Sequence, residues 1–178
     1  MKKSASNSKP SGPRRKRTLS RGADFHPLSE DDLPFLWAAY RKGAFQGFPE
    51  GLAPSDFNAE LVSRLKGVGE AHILTAPGTR GKHTPTGLVT TTTDGYKTWP
   101  RLVWFPWSSS RNKVECFVKW VNEARKTRKV LFEVEPADKR FMDHMARYGI
   151  VTCRGLEPDG FAPGFDSWRY SGNLVKDG

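Results

Sequence analysis

No apolar run in this 178-residue chain approaches the roughly 20 residues that a bilayer-spanning helix needs. The first residues lack the apolar stretch of a signal peptide, and the two absences together point to a cytosolic or intracellular protein. Cysteine is scarce: Cys116 and Cys153 have no metal-type spacing and read as reduced thiols of the core. His26, His72, His83 and His144 show no i, i+4 pairing, and no serine or cysteine nucleophile motif accompanies them. That leaves neither a metal centre nor a catalytic triad to argue for.

Acid is missing from residues 1–22, which hold eight of the chain's excess positive charges against a formal net charge of +10. The remainder carries 21 basic and 19 acidic residues and is close to neutral. The sequence therefore describes a basic tail joined to a neutral globule, and places any electrostatic partner mostly on the tail. Residues 1–22 are rich in Ser, Pro, Gly, Lys and Arg and too poor in apolar side chains to order themselves. Their cluster Arg14, Arg15, Lys16 and Arg17 suits a phosphate backbone or an acidic protein, and no interleaved aromatics suggest base reading. Residues 23–178 are long enough for one domain with a real core and too short for two.

Within the globule, residues 101–135 read as a βαβ unit. Leu102 to Trp107 is nearly continuous apolar and aromatic, as expected of a strand covered on both faces. The polar run Ser108 to Lys113 breaks it and offers a serine N-cap, so the amides of the following helix would face outward from the strand's carboxyl end, a place suited to an anion. Val114, Phe117, Val118, Val121 and Ala124 recur at i, i+3, i+4, i+7 spacing and define the buried face of that helix. Val130 to Val134 is the next buried strand.

Upstream, Phe25 to Leu28 is a candidate first strand, and Ser29 followed by Glu30, Asp31 and Asp32 opens a helix through Leu33, Leu36, Trp37 and Tyr40. A second helix, Ser55 to Lys66, presents Phe57, Leu61, Val62 and Leu65 on one face. Glu70 to Thr75 and Thr86 to Thr93 pair as an antiparallel hairpin, followed by an Asp94-Gly95 turn. Downstream, Asp138 to Tyr148 is a helix with Phe141, Met145 and Tyr148 facing inward and Gly149 as its C-terminal cap. Strands at Ile150 to Arg154 and Ser167 to Ser171 finish the order β, α, α, β, β, β, α, β, α, β, β.

That order resembles the GNAT N-acetyltransferase fold, an α/β class with a mixed (α+β) central sheet flanked by helices, over roughly residues 24–172. The local match lies in the carboxyl half. Phe132-Glu133-Val134 leads to Asp138, Phe141-Met142, Met145 and Gly149-Ile150. Asp138 stands where the family has an asparagine, Met145 where it has a tyrosine, and Ile150 where it has a phenylalanine. Ser108 to Lys113 stands where the family has a glycine-bearing loop that holds the coenzyme A pyrophosphate, and it contains no glycine. The WFPW segment and the Ser-x-Arg-Asn-Lys that follows also resemble short GNAT-related proteins encoded by tailed bacteriophages, some carried near virion structural genes.

The resemblance implies acetyl-CoA as cofactor, with no metal, and Trp107, Ser108, Ser109, Ser110, Arg111, Asn112 and Lys113 as its binding segment. Glu133 and Glu135 alternate with Val134 and so point to the face opposite it, where a carboxylate can serve as general base for an amine. The departures imply two things: a methionine cannot donate the proton that the family's tyrosine gives to the departing thiolate, and side-chain donors replace the glycine backbone at the phosphates. Two functions follow. One is a divergent GNAT-fold protein, non-catalytic or weakly active, phage-encoded and virion-associated, with the tail for nucleic acid or an acidic partner. The alternative is an acyl-CoA-dependent N-acyltransferase acting on an amine.

Overall fold

The computed structural model describes residues 22–78, 82–162 and 164–173. Arg14 to Arg17, and the tail reading that rests on them, lie outside the described residues. The element order is β1 (Asp24–Pro27), a short 3-10 turn (Glu30–Asp32), α1 (Leu33–Arg41), α2 (Pro54–Leu65), β2 (Glu70–Pro77), β3 (His83–Asp94), β4 (Lys97–Trp104), α3 (Ser110–Ala124), β5 (Lys129–Val134), α4 (Lys139–Arg147), β6 (Thr152–Ala162) and β7 (Phe165–Gly172). The strands form one seven-stranded sheet in the order β1-β2-β3-β4-β5-β7-β6. Every neighbouring pair is antiparallel except β4 and β5, which are parallel.

The sheet separates two cores. On one face α3 and α4 bury Phe117, Val121, Met142 and Met145 against Leu74, Val89, Val130, Phe132 and Tyr170. On the other, α1 and α2 bury Leu36, Phe57 and Leu61 against Ile73, Leu88 and Phe105. Full burial of a side chain the size of Phe117 contributes about 1.5–3 kcal/mol, so α3 is held chiefly by its apolar stripe. Cys116 and Trp120 widen that stripe beyond the predicted face.

Several expectations shift. The central strand does not run from Leu102 to Trp107: it begins at Lys97, ends at Trp104, and Phe105 to Trp107 belong to the turn into α3. A tight turn over Gly95 and Tyr96 pairs Asp94 with Lys97, so the polar stretch before Leu102 is carried into the sheet by hairpin geometry. Val62 and Tyr148, predicted to face inward, are exposed, because each lies at the edge of its helix's apolar stripe. Cys116 is buried as predicted, whereas Cys153 on β6 is exposed.

The pairing of β4 with β5 is short. It comprises Lys97 with Lys129 and Thr98 with Val130, and then the strands part. The cause lies in β4. Tyr96 O accepts from Lys129 N on the β5 side, while Phe105 N reaches Thr86 O on the β3 side. By alternation, the backbone groups of Thr98, Pro100, Leu102 and Trp104 point toward β5. Pro100 has no N–H to offer there, so the parallel ladder cannot continue past Thr98. The ladder thus ends well before Trp107, and no rung beyond Thr98 joins β4 to β5.

Candidate functional site

The gap between β4 and β5 is the candidate site. Past the end of β4 Ser109 caps α3, its Oγ accepting from Asn112 N at 3.2 Å, and Lys113 N reaches Ser109 O at 3.0 Å. Ser110 and Arg111 supply the remaining first-turn amides, which a helix leaves without intrahelical partners. An anion placed there would meet two N–H groups and the positive end of the helix.

The predicted binding segment divides. Trp107 turns away from the gap: its Nε1 donates to Pro85 O at 2.8 Å, its ring packs 5.2 Å from that of Phe105, and Lys42 Nζ lies 5.7 Å from its centroid. Ser108 is likewise committed, its hydroxyl donating to Thr86 O at 2.8 Å. These two residues anchor the turn to β3. Arg111 is exposed and paired with Glu115 at 2.8 Å along the helix, which draws its guanidinium down the helix side. Lys113 forms no ion pair among the described residues and is the cation of the segment with its charge uncommitted. Asn112 contributes its capped amide.

On the α3/α4 side, the gap is closed by aromatics. Trp104 and Phe141 meet at 5.9 Å between centroids, Phe141 and Phe117 at 5.2 Å, and Phe117 and Phe132 at 5.3 Å. Gly87 on β3 makes room for this arrangement, since a Cβ there would sit 2.9 Å from the Trp104 ring and 2.8 Å from Val103 O. The opposite side of the gap is open and charged. Glu133 faces it, exposed, with Arg169 Nη2 at 3.6 Å, while the Arg169 Nε makes the closer contact to Glu157. Glu135 lies just past the end of β5 and is also exposed.

Tyr148, at the C-terminal cap of α4, is exposed, with its ring against His144. Met145 is fully buried. Tyr170 on β7, separated from β4 by β5, donates to Asp143 Oδ1 at 2.6 Å; burial, the Asp143 hydrogen bond and the Asp143 charge push its hydroxyl well above the ordinary tyrosine range. It is a structural donor. Among the described residues no group of three or more His, Cys, Asp or Glu is placed to hold a metal ion, and no helix is long and apolar enough to cross a membrane.

An open cavity of about 550 Å³ lies nearby, between the end of α1 and the loop 43–52, with Trp37, Tyr40, Phe45 and Phe48 among its lining. Tyr40 organises that loop: its hydroxyl donates to Pro49 O at 2.6 Å and accepts from Leu52 N at 3.0 Å. Sequence reasoning missed the role of Pro100 and the placement of Arg101; the signal for both was the short Asp94-Gly95 hairpin, which sets the register of β4.

Several solved structures similar in fold to this one are described as acetyltransferases. An N-acetyltransferase from Staphylococcus aureus Mu50 superposes with a TM-score of 0.58 at 10% identity, covering 86% of this chain and 99% of that one. The fold is that of the GNAT acetyltransferases. The ribosomal-protein-S18-alanine N-acetyltransferase from Escherichia coli matches the same GNAT fold at a TM-score of 0.56 and 12% identity, over 88% of this chain and 96% of its own. A GNAT superfamily phosphinothricin acetyltransferase from Sinorhizobium meliloti, in complex with acetyl-CoA, gives 0.55 and 12%, over 88% and 93%. At these identities the likeness to GNAT proteins is one of fold. No protein-family model and no curated protein matches the sequence.

Proposed function

We propose that the chain is an acyl-CoA-dependent N-acyltransferase of low turnover, acting on an amine. The observation that carries this reading is the Pro100-terminated ladder, which leaves a gap between β4 and β5 running to the unpartnered first-turn amides of α3. The donor set fits acetyl-CoA. The Ser110 and Arg111 amides and the Lys113 ammonium would receive its pyrophosphate, and the gap-facing backbone of Leu102 and Trp104 would meet the amides of its arm. Acetyl-CoA would supply an activated acyl carbonyl with a thiolate as leaving group.

The chain's own residues then do two things. Glu133, with acceptor capacity left by its 3.6 Å approach to Arg169, takes the proton that the attacking amine sheds. The aromatics on the α3/α4 side exclude water from the gap. Met145 cannot give a proton to the departing sulfur and Tyr170 is committed to Asp143, which is why turnover is expected to be slow. Calorimetric titration with acetyl-CoA tests the reading: saturable binding below about 1 mM is expected, in the usual range for enzyme substrates. Absence of heat at that concentration would sink it.

A second reading, a non-catalytic GNAT-fold interaction protein, is favoured by the buried Met145 and by the pairing of Arg111 with Glu115. In that reading the basic residues 1–22 serve nucleic acid or an acidic partner, and a bacteriophage setting with virion association is its natural home. It expects DNA affinity that falls with salt by a logarithmic slope of about −0.9 per phosphate neutralised and is lost when residues 1–22 are deleted.

A further inference from the structure

The last rungs joining β4 and β5 fix which residues stand level beyond them. Thr98 is opposite Val130, so Arg101 and Glu133, each three residues further on, stand at the same height on diverging strands. Three is an odd step, so both side chains leave the face occupied by Val130 and α3 and share the other. Paired strands stand about 4.8 Å apart, and the divergence adds to that, leaving a slot between two charges of opposite sign.

Beyond the last rung the two walls differ in charge. On this face β4 carries Lys97 and Arg101 and no carboxylate, while β5 carries Lys129, level with Lys97 at the last rungs, and then Glu133 level with Arg101. Arg101 is exposed and has no ion-pair or hydrogen-bond partner among the described residues, so its planar fork of donors is free. Glu133 sits beyond hydrogen-bond distance of Arg169, which is held more closely by Glu157, and so keeps lone pairs for another cation. α1 and α2 cover Val103 and Phe105 on this face and stop short of Arg101.

We infer that the slot takes a small zwitterion, an amino acid, as acceptor: Arg101 holds its carboxylate in bidentate fashion and Glu133 receives its ammonium. Resting on the acyltransferase reading, this deepens it by naming the acceptor class. The arrangement discriminates against a diamine, whose second cation would be pressed against Arg101, and against a bare carboxylate, which would leave Glu133 unanswered. The same Glu133 that binds the ammonium is the one placed to take its proton.

Binding can be read without turnover. The full chain would be titrated by calorimetry with a panel of free amino acids, with putrescine and spermidine, and with acetate, in the absence of acetyl-CoA and at saturation with it. At least one amino acid is expected to bind ten-fold or more tightly than either polyamine or acetate. Arg101→Gln should weaken that amino acid at least ten-fold while leaving the acetyl-CoA isotherm within two-fold of wild type, and Arg101→Glu should invert the preference toward polyamines. Equal binding of diamines and amino acids, or an Arg101→Gln variant with undiminished amino-acid affinity, overturns the inference. If amino acids bind through Arg101 and acetyl-CoA does not bind at all, the acceptor assignment stands and the acyltransferase reading falls; if acetyl-CoA binds and no amino acid does, the reverse holds.

Discussion

Trp104 of β4 and Phe141 of α4 meet edge to face at 5.9 Å, and their contact bridges the place where β4 and β5 have separated. An arm entering the gap on the α3/α4 side must displace one of these rings. Trp104→Ala is therefore expected to have two opposed effects. Stability should drop by about 2 kcal/mol, less than the usual cost of a fully buried tryptophan because Trp104 is only half-buried. Acetyl-CoA should bind several-fold more tightly. Urea unfolding and calorimetry on the same variant check both.

The cap of α3 allows anion binding to be separated from helix stability. Ser109→Ala removes the acceptor for Asn112 N and should cost about 1 kcal/mol. Ser109→Asp keeps a capping oxygen but puts a negative charge at the proposed phosphate site. The expected result is a near-native thermal midpoint for Ser109→Asp with acetyl-CoA affinity reduced at least ten-fold. Lys113→Ala should weaken binding more than Arg111→Ala, because Arg111 is already paired with Glu115.

Asp32 predicts a pH dependence of stability. Burial raises its carboxyl pKa, but the hydrogen bond from His26, those from the Ser29 amide and hydroxyl, and the His26 charge outweigh burial and hold it below the ordinary value. A depressed folded-state pKa contributes stability that is present above the unfolded value of about 3.9 and is lost as pH falls through the folded value. The urea midpoint of the wild type should thus fall more steeply below about pH 4 than that of Asp32→Asn. Parallel curves for the two proteins would refute this account of the cluster.

The two thiols should titrate with a reagent as different species. Cys116 is buried, its Sγ donating to Thr75 O at 3.3 Å, and burial, partly offset by a hydrogen bond with Thr86, pushes its pKa to about 11. Cys153 is exposed. At neutral pH a disulfide reagent should modify Cys153 within minutes and Cys116 only on unfolding. Two equally fast thiols in native buffer would contradict the packing of α3 on β2.

The sequence carried the βαβ unit, the serine cap and the element order because each rests on local rules: a continuous apolar strand, a 3.6-residue apolar stripe, a polar break between them. It concealed the first half of β4, because Lys97, Thr98, Pro100 and Arg101 have poor strand credentials and enter the sheet only through the hairpin with β3. Pro100 looked like an interruption, and three-dimensional register makes it the reason the site exists. The roles of Trp107 and Ser108 were hidden for a related reason: their hydrogen bonds go to Pro85 and Thr86, more than twenty residues away. Helix edges were the other loss, since Val62 and Tyr148 satisfy the apolar period but fall outside the arc that the sheet covers.

The two rungs between β4 and β5 also divide the molecule in time. Hydrogen bonding is continuous through β1 to β4 and again through β5, β7 and β6, with only the pairs at Lys97 and Thr98 joining the two ladders. What straps them together is α3, whose Val118 and Val121 lie in one apolar cluster with both Leu74 of β2 and Phe132 of β5. Amide hydrogen exchange in the native protein should therefore resolve two groups of strand protons with different opening free energies, and a substitution that weakens α3 should widen the difference between them rather than lower both alike.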